Sequence, residues 1–181
     1  MKISKNARRQ NHIKIFVYVA LFCLLFSKNS LAFENGKYIP SDIDATVLNN
    51  TKSLSDIMPK PLKGKMNQPA FYKYKFSVIY EGETRSISQD NLEGLKFFEK
   101  TYKDLNPKLS EISQHEVLIK SAKGVKYWLP IQDILIEPFK NEVKKGQVFD
   151  VYVLNPYNSL NVDGSGFSVF LISDFSAKNG D

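Results

Sequence analysis

The chain has 181 residues, with 25 Lys and Arg against 19 Asp and Glu, two histidines and one cysteine. Six of the bases (Lys2, Lys5, Arg8, Arg9, Lys14 and Lys28) and none of the acids precede Phe33, which leaves 19 of each sign in the remainder; a balanced body excludes global steering toward a polyanion, so no specific nucleic acid is expected as a partner. Cys23 and His12 also lie in that head, so the remainder holds no thiol and one imidazole, which excludes disulfides, cysteine nucleophiles and His/Cys zinc sites there, and no cofactor is expected.

The first 32 residues combine a basic head (Met1 to Lys14), an unbroken apolar run of 12 residues from Ile15 to Phe26, and the small-x-small exit Ser30-Leu31-Ala32. These are the physical parts of a secretory signal peptide, and the mature chain is expected to begin at Phe33 and to act in the periplasm or medium. The apolar run is well short of the roughly 20 residues that span a bilayer, so no transmembrane span is expected after cleavage. Cys23 sits within the run between Phe22 and Leu24, without the small residues that precede an acylated cysteine, so a lipid anchor is not expected.

Residues 33–70 carry Pro40, Pro59, Pro61 and Pro69, which remove backbone donors and force extended conformations. This stretch reads as an N-terminal arm, with a short helical turn over Ser41 to Leu48 capped by Ser41 or Asp42. A single α+β domain is expected over 71–181. Tyr72, Tyr74, Phe76, Val78 and Tyr80 alternate with Lys73, Lys75 and Ser77, the period of a strand with one buried face. Glu81-Gly82-Glu83 predicts a turn and Thr84 to Ser88 a returning strand. Asp90 and Glu93 have the spacing of a capping box, opening a helix to about Leu105 that Asn106-Pro107 stops, with Leu95, Phe98, Tyr102 and Leu105 as its apolar stripe.

Glu116 to Ser121 and Val125 to Leu129 flank Ala122-Lys123-Gly124, a hairpin signal, and Pro130 ends the hairpin or places it at an edge. Ile131 to Val143, split by Pro138, predicts a short helical turn or a bent strand. Lys144-Lys145-Gly146 turns into a strand over Gln147 to Leu154. Asn155 to Gly166 reads as a polar loop, and Phe167 to Phe175 as a central strand buried on both faces. About five to six strands with one main helix predict a curved antiparallel sheet or a small SH3-like or OB-like barrel.

The motifs that carry chemistry are weak. His115 would be the base of any Ser-His-Asp arrangement, but it lies in Ser113-Gln114-His115-Glu116 with no nucleophile turn, and reads as a hydrogen-bonded histidine at the start of a strand. Ser159 to Gly164 echoes a calcium loop, yet begins with Ser and has Phe170 where a bidentate Glu is needed. Gly164-Ser165-Gly166 lacks the frame of a nucleophile elbow. Glu81 with Glu83 and Glu137 with Glu142 are the conspicuous acid pairs, and they read as solvated carboxylates. Lys60, Lys63, Lys65, Lys73 and Lys75, with Tyr72 and Tyr74, form a local basic run without acids that reads as an arm with water-facing lysines.

Trp128 is the sharper feature. Val125, Tyr127 and Leu129 share one face of their strand, so alternation puts Trp128 with Lys126 on the other, where an aromatic can anchor a protein or a sugar ring. Tyr152 joins that surface if the two strands are neighbours. Trp128, Lys126, Tyr152, Lys73 and Lys75 are therefore the candidate binding residues, and no catalytic or metal-ligating set is proposed. The expected function is a non-catalytic binding or accessory domain of a bacterial envelope or secretion process, with protein or glycan as partner. A carbohydrate or cell-wall hydrolase using two of the acids is the alternative, marked by a cleft with facing carboxylates. An exported inhibitor or structural partner is the third, marked by a flat apolar patch of several hundred Å².

Overall fold

The computed structural model describes residues 38–57, 65–104 and 108–178, all within the compact unit Glu34–Asp181. The head before Phe33, expected to be a signal peptide, lies outside the described residues, as do Lys60, Lys63 and the expected stop at Leu105-Asn106-Pro107. The chain is mixed α+β: β1 (Ile39–Ser41), α1 (Ile43–Ile57), β2 (Met66–Ser86), α2 (Gln89–Thr101), β3 (His115–Lys120), β4 (Lys126–Ile131), a 3-10 turn (Asp133–Leu135), α3 (Ile136–Glu142), β5 (Val148–Leu160) and β6 (Gly166–Ala177). Among the described residues no helix is long and apolar enough to cross a membrane.

The strands run in the order β1-β2-β3-β4-β6-β5, and β2 pairs with β5 as well as β3. The expected all-antiparallel sheet is corrected here: β1 lies parallel to β2, and β4 meets β6 in parallel at the single pair Ile131 and Ile172. Where one main helix is expected, the described residues hold three. The expected turn at Glu81 to Glu83 is absorbed by a 21-residue β2, whose register shifts between Tyr80 and Thr84 while Gly82 takes φ 87°. A bulge bends the strand without ending it, because the extra residue increases local twist while pairing resumes beyond it. β2 can therefore pair with β5 along Met66 to Ile79 and with β3 along Ile79 to Ser86.

The arm holds more structure than its prolines suggest. Asp42 Oδ1 accepts the Ala45 amide at 2.8 Å, which satisfies a free donor of the first turn, and the helix it starts continues for 15 residues. At α2 the expected capping box is absent. Glu93 takes a hydrogen bond from Gln89 Nε2 at 2.7 Å, and the N-cap Ser88 is served by a distant group described below.

Alternation along β2 to β6 creates two cores. Phe76, Val78, Tyr80, Val117, Ile119, Leu129, Ile131, Phe149, Val151, Val153, Phe170 and Ile172 face one side, joined by Ile43 of α1 and by Ile136, Phe139 and Val143. The Phe139 ring meets Tyr80, Phe149 and Phe175 edge-on at centroid distances of 4.9, 5.3 and 5.2 Å, a geometry aromatic quadrupoles favour. The opposite side of β5 and β6 supplies Leu154, Tyr157, Val169 and Leu171 to a second core with Leu95 and Phe98 of α2 and Leu109. Of the expected stripe, Tyr102 is 42% exposed, with its ring centroid 4.6 Å from that of Phe98. Gly94 permits the close fit, since a Cβ there would meet Val169 Cγ2 at 2.5 Å and Tyr157 Cδ1 at 2.9 Å.

The polar loop expected over Asn155 to Gly166 is corrected to strand as far as Leu160, with a short turn left at 161–165. Asn155 is fully buried and Asn158 nearly so. Turn-forming composition does not prevent a strand here because the amides satisfy one another: Asn155 Nδ2 reaches Val169 O at 2.8 Å and Asn158 Oδ1 at 3.1 Å. Pro130, expected to end the hairpin or to place its last residues at an edge, stays within β4 opposite Glu116, one residue before the single pair that β4 makes with β6.

Candidate functional site

β4 sends Tyr127 and Leu129 to the first core, and Trp128 to the other side of the strand, where it is half-buried. The Arg85 guanidinium lies over its ring, 3.9 Å from the centroid. That stack is itself held. Arg85 Nε donates to Glu116 Oε2 at 2.9 Å, and its Nη2 lies 2.9 Å from the same oxygen. The other carboxylate oxygen accepts the Ser88 amide at 2.6 Å, the Ser88 hydroxyl at 2.5 Å and Asn91 Nδ2 at 2.8 Å.

Glu116 is 0% exposed. Burial pushes its carboxyl up, but the hydrogen bonds from Ser88 and Asn91 and from Arg85 outweigh that and leave it below the ordinary carboxylate value. It thus serves as the N-terminal cap of α2 while fixing Arg85, and Asn91 Nδ2 also reaches Trp128 O at 3.3 Å. Beside Trp128 lies a recess of about 300 Å³, lined by Val47 of α1, by Arg85, Ser88 and Asn91, by Lys126 to Leu129 of β4 and by Gly166 to Ser168 of β6. Its β4 and β6 walls precede in each strand the single pair that the two share, Ile131 and Ile172.

The predicted residues fall into two groups. Lys126 lines the Trp128 recess but is paired with Glu81 at 2.7 Å; Lys120 binds the other Glu81 oxygen at 2.8 Å. Hydrogen bonds from these two lysines lower the Glu81 carboxyl to about 2. Tyr152, Lys73 and Lys75 gather elsewhere. Lys75 pairs with Asp150 at 2.9 Å and lies 5.5 Å from the Tyr152 ring centroid, while Lys73 lies over Tyr38, whose ring meets Tyr152 edge-on at 5.2 Å. Asp150 is raised by burial but lowered further by Lys75 and Lys178. The expectation that Tyr152 shares a surface with Trp128 required β4 and β5 to be neighbours, and β6 runs between them.

His115 Nδ1 lies 2.8 Å from Asp133 Oδ1, and the Gln114 amide donates to the same carboxylate at 3.0 Å. Among the described residues no hydroxyl bonds its other nitrogen. Of the acid pairs, Glu81 is held by lysines, and Glu137 lies 3.7 Å from Lys140. Ser165 donates its amide and hydroxyl to Asp163 at 2.9 and 2.6 Å, closing the turn that echoed a calcium loop. Among the described residues no group of three or more His, Cys, Asp or Glu is placed to hold a metal ion.

Arg85, Ser88, Asn91 and Glu116 escape sequence reasoning. Arg85 and Glu116 are 31 residues apart, and only the β2–β3 register makes them opposite partners. The one available signal was a lone acid, Glu116, within a run whose following residues Val117, Leu118 and Ile119 are apolar. Compared with protein-family models, with curated proteins and with solved structures, the chain matches none.

Proposed function

We propose that the chain is an exported, non-catalytic binding domain of the envelope or of a secretion process, and that the Trp128 recess docks an extended segment of a partner protein. The observation that carries this is a tryptophan turned away from the core and pre-oriented by an arginine that a fully buried carboxylate holds in place. Trp and Arg dominate binding energy at protein interfaces because they offer large contact area with little ordering left to do. The backbone edges of β4 and β6 that flank the recess are of the kind to which an extended segment adds. Export rests on the basic head, apolar run and small-x-small exit before Phe33.

The connectivity supports an OB-like barrel over an SH3-like one. Counted from β2, five strands close on themselves and stay partly open between β4 and β6. In such barrels the second and third strands, with the loops after the first and fourth, form the ligand face. Here those are β3, β4, the connection carrying Ser88 and Asn91, and the connection leading into Gly166.

The test is Trp128→Ala. Loss of the cation–π contact is expected to cost about 1 kcal/mol of stability, while capture of the partner from periplasm or medium falls at least about 30-fold, the scale of a hot-spot residue. A stability loss of about 3 to 5 kcal/mol, as for an emptied core site, together with unchanged capture per folded molecule, overturns the reading.

A further inference from the structure

A second cavity shares no lining residue with the Trp128 recess. It has a volume of about 500 Å³ and is lined by Asn49, Asn50 and Ser53 of α1, by Gln68 to Tyr72 and Tyr74 of β2, and by Asn158 of β5. That volume falls within the roughly 300 to 1,000 Å³ of small-molecule sites. No lining side chain carries a charge. Four carboxamides and three aromatic rings make up most of the lining, with Ser53, Pro69 and Ala70 between them.

The amides at its inner wall are fixed. Asn50 Nδ2 lies 3.0 Å from Asn158 Oδ1, 3.2 Å from Ser168 Oγ and 3.4 Å from Asn155 Oδ1, and Asn158 Nδ2 donates to Asn155 Oδ1 at 3.2 Å. Asn158 is 4% exposed, and its Nδ2 makes that one hydrogen bond among the described residues. The side-chain amides of Asn49 and Gln68 and the hydroxyls of Tyr72 and Tyr74 have no hydrogen-bond partner among the described residues. A bulge supplies the rim. Pro69 faces Tyr157 and Tyr72 faces Asn155, so two β2 residues oppose one of β5, which lets adjacent Phe71 and Tyr72 both stand exposed. Phe71 stacks back on Phe98 at 5.8 Å, whereas Tyr72 leans on Tyr74 at 6.2 Å.

We propose that this groove is a binding site for a neutral saccharide. Each carboxamide presents a donor and an acceptor side by side, matching vicinal hydroxyls that both donate and accept. Tyrosine faces accept the C–H face of a sugar ring while their hydroxyls reach its edge. A neutral lining does not recompense an ionic ligand for its lost hydration, so charged glycans and phosphorylated ligands are disfavoured.

The experiment titrates the purified protein with neutral tetrasaccharides of hexose and of N-acetylhexosamine, an anionic sulfated tetrasaccharide, and a neutral unstructured peptide. Binding of a neutral tetrasaccharide is expected, weakened at least tenfold by Tyr72→Ala and by Gln68→Ala with melting temperatures within about two degrees of wild type. Trp128→Ala leaves it unchanged, which separates this site from the protein-docking recess. Asn49→Ala, on an exposed helix position, gives a second variant that does not touch the buried amides. Tighter binding of the anionic saccharide or of the peptide, no neutral binding at millimolar concentration, or neutral binding indifferent to all three groove variants overturns the proposal.

Discussion

Glu116 shows how much one buried carboxylate can organise. It accepts four hydrogen bonds from three residues, ties the end of β2 to the start of α2, and orients the guanidinium that lies on Trp128. Glu116→Gln keeps the shape but presents an amide N–H to some of those donors, and is expected to cost about 2 to 4 kcal/mol, since orphaned buried donors lose their solvation without replacement. Because its folded carboxyl titrates below the unfolded value, the stability it contributes is present above the ordinary carboxylate range and lost as pH falls through the folded value. Urea denaturation of both proteins should therefore show the gap at neutral pH and its closure in acid. A gap independent of pH would mean that the charge of Glu116 contributes nothing.

At the scale of elements, α2 is attached at its N-terminus by Glu116 and along its length by the second core. Gly94 lies at the closest approach, against Val169 and Tyr157. Intrinsic helix propensity favours Ala over Gly by roughly 0.8 to 1 kcal/mol. A Cβ at 2.5 Å from a branched methyl of a packed strand demands movement of helix or sheet, and overpacking of this kind costs about 1 to 3 kcal/mol. Gly94→Ala is thus expected to lower the melting temperature, with packing outweighing propensity. A raised melting temperature would show that α2 can lift from β5 and β6 at no cost.

For the whole molecule, β5 and β6 are shared by both cores, and along β6 the two faces alternate residue by residue. Phe170 and Ile172 face the first, Val169 and Leu171 the second, and all four are at most 1% exposed. An unpaired charge on either face costs several kcal/mol, comparable with the stability of a whole domain. Val169→Asp and Ile172→Asp are each expected to abolish cooperative unfolding as followed by circular dichroism. If Val169→Asp alone kept a cooperative transition, the second core would be an independent attachment and α2 a removable cover.

What the sequence determined by itself were features set by local periodicity: the alternation of Phe76, Val78 and Tyr80, the hairpin about Gly124, the two-faced strand from Phe167, and the position of Trp128 away from the core. Each follows from a period of two along one strand, which needs no partner to be read. What only the tertiary structure decided were the relations between strands. The parallel meeting of β4 and β6, the continuation of β2 through Gly82, the opposition of Arg85 and Glu116, and the separation of Tyr152 from Trp128 all depend on register and order. Asn155 and Asn158 carry the clearest lesson. Their composition reads as a turn because an isolated amide prefers water, and they lie in a buried strand because the fold brings Asn50 and the Val169 carbonyl close enough to replace it.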